Sequence, residues 1–131
     1  MSNGFEEESL PKIQYTYRIS RYSVLGGWYM RVLFRNRSNS QGNHESALFL
    51  SDPTHGWQLE DCLWEKIKKE PSGGIYRMSV PGGWVLLATA QGIAETDDGT
   101  RYKPRMGSLT FVPDEANAWA CENIAESASI F

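Results

Sequence analysis

The sequence predicts an α+β fold in which two β-β-β-α repeats form one pseudo-two-fold domain of antiparallel sheet with two helices. Three observations carry this expectation. Val24-Leu25-Gly26-Gly27-Trp28 returns as Val80-Pro81-Gly82-Gly83-Trp84, with Tyr17-Arg18-Ile19-Ser20 ahead of the first copy and Tyr76-Arg77-Met78-Ser79 ahead of the second. Ala47-Leu48-Phe49-Leu50-Ser51-Asp52 is answered by Leu109-Thr110-Phe111-Val112-Pro113-Asp114. Each Asp is then followed five positions later by a Trp, Trp57 and Trp119. The step is 56 from Gly26 to Gly82 and 62 from Asp52 to Asp114, so the second copy holds six extra residues between its glycine turn and its Phe. Aligning Tyr17-Arg18 with Tyr76-Arg77 places three extra residues, Arg21-Tyr22-Ser23, in the first copy. Ordered self-similarity of this kind bounds the architecture before any local element is assigned, and length changes confined to two places are what loops tolerate.

Residues 1–11 carry Glu6-Glu7-Glu8 and end at Pro11, which reads as a flexible acidic leader. Residues 12–70 form the first repeat and 71–131 the second, sharing one core. Ile13, Tyr15, Tyr17 and Ile19 alternate with Gln14, Thr16, Arg18 and Ser20, the period of a strand with one wet face. Gly26-Gly27 and Gly82-Gly83 mark turns, either tight hairpins or, given Pro81, turns with Pro second and Gly third. Trp28 to Arg35 alternates again, and Trp84 to Ala90 is apolar on both faces, as befits a more buried strand. Two polar loops, Arg35 to Glu45 and Gln91 to Gly107, lead into third strands at Ala47 to Leu50 and Ser108 to Val112. Asp52 and Asp114 read as helix N-caps, supported by Pro53 and Glu115 in the first turns. Leu59, Cys62, Leu63 and Ile67 then make an apolar stripe, matched by Trp119, Cys121 and Ile124. The two sheets would join edge to edge or pack face to face, with the helices covering an apolar face.

The chain has 131 residues, 40% of them hydrophobic, including five Trp, six Tyr and five Phe, so it can pack a shared interior where a half of its size alone would be marginal. A net charge of -3 excludes a broad grip on nucleic-acid backbone. The two cysteines, Cys62 and Cys121, and the absence of a basic-then-apolar leader lead to the expectation of a cytoplasmic protein with reduced thiols. No stretch has the roughly 18 to 20 apolar residues a membrane-spanning helix needs, and no membrane partner is expected.

No catalytic, cofactor-binding or metal site is expected. The glycine pairs lack the Lys and Ser/Thr of a phosphate loop. His44 and His55 have no ligand-like neighbours, the cysteines lie on apolar faces without a base, and no Gly-x-Ser-x-Gly elbow is present. Gly26, Gly27, Trp28, Asp52, Trp57, Gly82, Gly83, Trp84, Asp114 and Trp119 are assigned structural roles as turns, caps and core anchors. The candidate partner-binding residues are Arg35 and Arg37 in one long loop and Arg101, Tyr102, Lys103 and Arg105 in the other.

From Tyr76 to Trp119 the chain resembles short, uncharacterised bacterial and prophage-borne proteins in which a Val-Pro-Gly-Gly-Trp turn precedes a Phe-Val-Pro-Asp segment; here the motif is duplicated, and the first copy lacks both prolines. The resemblance carries no activity and implies an accessory protein of a mobile element. The expected function is therefore a non-enzymatic protein-binding factor, monomer or homodimer, that inhibits one host or phage protein by covering its surface, as anti-CRISPR and immunity proteins do. The alternatives are a small-ligand or carbohydrate module using exposed Trp and Tyr, and a nucleic-acid binder using the Arg and Lys loops.

Overall fold

The computed structural model describes residues 5–35 and 43–121. Its strands make two four-stranded antiparallel meanders. The first contains β1 (Glu7–Leu10), β2 (Arg18–Val24), β3 (Gly27–Phe34) and β4 (His44–Ser51), paired in that order. The second contains β5 (Glu65–Glu70), β6 (Gly73–Val80), β7 (Gly83–Gln91) and β10 (Arg105–Pro113), and a small hairpin of β8 (Ala94–Glu95) and β9 (Arg101–Tyr102) is inserted before β10. Each repeat is thus β-β-β-β. The two expected helices are corrected: among the described residues the only helical piece is a single 3₁₀ turn, Leu59–Asp61. Glu7–Leu10, expected in the flexible leader, is an edge strand paired with Ile19–Tyr22.

The helix expectation fails for identifiable reasons. After Asp52 and Asp114 the chain makes a tight loop in which His55 and Asn117 adopt left-handed φ of 52° and 49°, a conformation that stops helix propagation. The stripe at Leu59, Cys62, Leu63 and Ile67 has helical spacing, yet Glu65–Glu70 pairs with β6 and shifts register between Lys66 and Lys68, a bulge that interrupts the alternation by which a strand is recognised.

Gly26 and Gly82 have φ of 81° and 80° while Leu25 is not left-handed, so the turns are of the kind with a positive angle only at the third position, which suits Pro81 at the second. Gly27 and Gly83 serve a different need: a side chain there would fall on the carbonyls of Leu50 and Val112 in the adjoining strands. The pairing also corrects the repeat alignment. Ser23 faces Trp28 and Ser79 faces Trp84, so Arg21 corresponds to Arg77 at the same step of 56 as the glycines, and the first copy has no three-residue insertion. The six extra residues of the second copy lie where β8 and β9 are inserted.

The core runs across both sheets, but the sheets contribute opposite faces. From the first come Ile19, Trp28, Met30, Val32, Phe34 and Leu50, the face that bears the tryptophan. From the second come Met78, Val80, Val85 and Leu87, the face away from Trp84. The repeats therefore do not bury equivalent faces. The equivalent edge strands β4 and β10 lie side by side in the same direction, with His44 Nε2 3.0 Å from the Gly107 carbonyl and the Leu109 N–H donating to Ser46 Oγ at 3.1 Å.

Candidate docking surfaces

The residues at matched positions build one device twice. Asp52 Oδ2 accepts from the Trp28 indole N–H at 2.9 Å and the Trp57 backbone N–H at 3.0 Å. Asp114 Oδ2 does the same with Trp84 at 3.0 Å and Trp119 at 2.8 Å. Between each pair of indoles lies a buried guanidinium. Arg21 Cζ sits 3.9 Å from the Trp28 ring centre and 4.8 Å from that of Trp57, and Arg77 sits 4.0 Å and 4.7 Å from Trp84 and Trp119. Both arginines donate Nε to a carboxylate on the edge strand, Glu8 or Glu65, at 3.1 Å, and a terminal N–H to the carbonyl of Trp57 or Trp119. A charge taken out of water must find such partners, and the planar fork and flat face of guanidinium meet carboxylate, carbonyl and indole together. The carboxylates assigned as helix caps are instead hubs that close the loop onto the sheet. Neither arginine was singled out in the sequence, because Arg18 stood in the place of Arg21 in the alignment.

The Asp52 carboxyl is lowered from its ordinary value: burial raises it, but the N–H bonds from Trp28, Trp57 and Gly56 outweigh burial. Asp114 is lowered chiefly by Trp84, then by the N–H of Trp119. The Cys62 thiol is pushed up to about 11, mainly by burial and against the pull of Arg21, which makes it a poor nucleophile at neutral pH. His44 and His55 each point a ring nitrogen at a backbone carbonyl, Gly107 and Val24. Among the described residues no three His, Cys, Asp or Glu side chains are placed to hold a metal ion, and no helix is long and apolar enough to cross a membrane.

The basic loops are partly brought together. Arg35 stacks over Tyr17 at 3.7 Å and Arg105 lies 5.8 Å from the Tyr15 ring centre, so both loops start or end at one end of the molecule. Arg101, Tyr102 and Lys103 belong to the inserted hairpin, with Arg101 and Lys103 exposed. Arg37 lies outside the described residues.

The surface that the sequence did not mark is the outer face of the first sheet. Phe5 stacks on Tyr22 with ring centres 4.6 Å apart, and Tyr29 lies 5.8 Å from Tyr22. Phe5 and Phe49 are 56% and 55% exposed, and Leu25 at the adjacent turn is 99% exposed. Phe5, Val24, Tyr29 and Phe49 line a shallow depression of about 490 Å³ that also takes in Arg31 and Glu45, joined by a 2.6 Å ion pair. Trp28, Trp57 and Trp84 are buried and Trp64 and Trp119 half-buried, so exposed aromatic surface here is phenyl and phenol. The signal lay in Tyr22, Tyr29 and Phe49 being cross-strand neighbours on one face of three strands, legible only with the correct repeat register.

No family model, curated protein or solved structure matches the chain.

Proposed function

We propose that the protein is a non-enzymatic binding module that acts by covering the surface of one partner protein, and that it docks through the outer face of its first sheet. The observation that carries this reading is a comparison internal to the chain. In the second sheet the corresponding face is core, made of Met78, Val80, Val85 and Leu87. In the first sheet it faces outward and holds Tyr22, Val24, Tyr29 and Arg31 at the same repeat positions, with Phe49 where the second has Phe111. A contiguous aromatic and aliphatic patch rimmed by charge is the kind of surface that marks a protein contact, and tyrosine supplies large contact area at small entropic cost. The likeness to prophage-borne proteins supports an inhibitor of a host or phage protein as the biological setting.

The test is a pull-down from lysate with the wild type, with Tyr29→Asp/Phe49→Asp, and with Arg101→Glu/Lys103→Glu. A stoichiometric protein recovered by the wild type and the hairpin variant but lost with the sheet variant supports the reading. Retention by the sheet variant, or loss only with the hairpin variant, overturns the placement of the docking surface.

A further inference from the structure

We propose that the end of the first sheet around Tyr17 binds a phosphate dianion, free or as a monoester, with Lys12, Arg18 and Arg35 as its cationic partners. This site shares no lining residue with the depression at Phe5 and Phe49, and Arg18 and Val24, one residue of each, stand at the two ends of β2.

The chain carries 16 acidic and 13 basic residues, so a cavity walled by cations runs against its overall charge. One of about 260 Å³ is lined by Ser9, Leu10, Lys12, Tyr17, Arg18 and Ile19, and among the described residues no carboxylate reaches its wall. Three other depressions, at Phe49, Met106 and Leu63, are walled in part by Glu45, by Glu70, and by Glu60 with Asp61.

Two of the cations share one ring. Arg35 Cζ lies 3.7 Å from the Tyr17 ring centre and Arg18 Cζ 5.5 Å from it. A guanidinium that lays its flat face on a phenol keeps its N–H edge for an oxyanion, and that edge matches two phosphate oxygens at once. Among the described residues neither Lys12 nor Arg35 has an ion-pair partner. Arg18 meets Glu7 at 3.4 Å, but Glu7 also accepts from the Ser20 and Tyr22 hydroxyls, and an exposed pair of this length contributes little. Like charges gathered in one place repel, and a bound anion removes that cost. A phosphate monoester carries about -1.5 to -2 at pH 7, more than a carboxylate or a diester linkage offers three cations.

The fold does not require this cluster. In the register of the hairpins the second repeat has Gly73 and Gly74 where the first has Tyr17 and Arg18, and Gln91 where it has Arg35, yet it forms the same four-stranded meander.

The experiment is a ¹H–¹⁵N NMR titration of the arginine Nε–H signals with glycerol 3-phosphate, inorganic phosphate and sodium chloride at matched ionic strength. It is run on the wild type, Lys12→Ala, Arg35→Ala, Arg35→Lys and Arg101→Glu/Lys103→Glu. All the altered side chains are exposed, and far-UV circular dichroism with thermal melting checks that each variant is folded. The wild type is expected to give a saturable shift at Arg18 and Arg35 with either phosphate compound. Lys12→Ala and Arg35→Ala are each expected to bind roughly tenfold more weakly, with Arg35→Lys between, because it keeps the charge and loses the planar fork. The hairpin variant is expected to bind as the wild type does. Tighter binding of glycerol 3-phosphate than of inorganic phosphate assigns the dianion to an ester, and the reverse assigns it to free phosphate; either supports the site. A shift that never saturates, or that chloride reproduces, means an adventitious ion only and overturns the proposal, as does unweakened binding by Lys12→Ala and Arg35→Ala. A saturable response only to a single-stranded oligonucleotide without terminal phosphates overturns it in favour of a surface that tracks diester backbone.

Discussion

Asp52 ties the loop after β4 to the sheet through both its side chain and its backbone. One carboxylate oxygen accepts from a buried indole N–H and a buried backbone N–H, and its own backbone N–H bonds the Gly26 carbonyl at 2.9 Å. Asp52→Ala orphans two donors, each costing roughly 1–3 kcal/mol when left buried without a partner. Asp114→Ala is expected to cost less, because that carboxylate and Trp119 are only half-buried, and chemical denaturation of both variants against the wild type checks the order. The indoles differ in the same way. Trp28→Phe takes a donor from Asp52, whereas the buried Trp57 Nε1 has no hydrogen-bond partner among the described residues, so Trp57→Phe loses ring area alone and is expected to be the milder change. Cys62 is fully buried with its thiol raised, and it is expected to react with an alkylating probe only at the rate of unfolding; fast labelling in native buffer would contradict its environment.

At the scale of elements, the paired glycines divide their labour. Gly26→Ala meets only an ordinary 4.0 Å contact with the Phe49 ring but a left-handed backbone, a strain of about 1–2 kcal/mol. Gly27→Ala drives a methyl group into the Leu50 carbonyl and is expected to exceed the roughly 1–3 kcal/mol usual for overpacking, because strand backbone cannot step aside as a side chain can. Equilibrium melts of the two variants should rank them in that order, and Gly82→Ala and Gly83→Ala should repeat it. Much of this was legible in the sequence: the duplication, the hairpins at Gly26 and Gly82, the alternation of β3 and the third strands before each Asp. What was not legible has physical causes. Lys66 to Glu70 belongs to a bulged edge strand whose charges keep an exposed edge wet, and charge on a wet edge is indistinguishable by composition from charge on a wet helix. The outer face of the first sheet is not legible because the Tyr17–Tyr76 alignment puts Tyr22 in an insertion, which hides its correspondence to buried Met78.

For the whole molecule, the carboxylates set the response to acid. Glu7 is lowered chiefly by the Ser20 hydroxyl, against burial, with help from Tyr22 and Arg18, and Asp52 and Asp114 are lowered as described. A carboxylate whose folded value lies below its unfolded one stabilises the fold fully above the unfolded value and loses that contribution as pH falls through the folded one. Thermal midpoints should therefore hold through neutrality and drop below about pH 4, and the drop should be shallower in Asp52→Asn; an unchanged acid limb in that variant would remove Asp52 from the explanation. The two tryptophan hubs occupy the same repeat positions, but only the first belongs to the core shared by the sheets. The indoles of each hub stand nearly perpendicular, at 83° and 89° with centres 5.9 Å and 5.8 Å apart, close enough for their electronic transitions to couple. Each half is thereby furnished with its own optical signature, and silencing one chromophore pair with Trp119→Phe leaves the other to report, by ultraviolet dichroism during heating, whether the sealed half outlasts its neighbour or both let go at once.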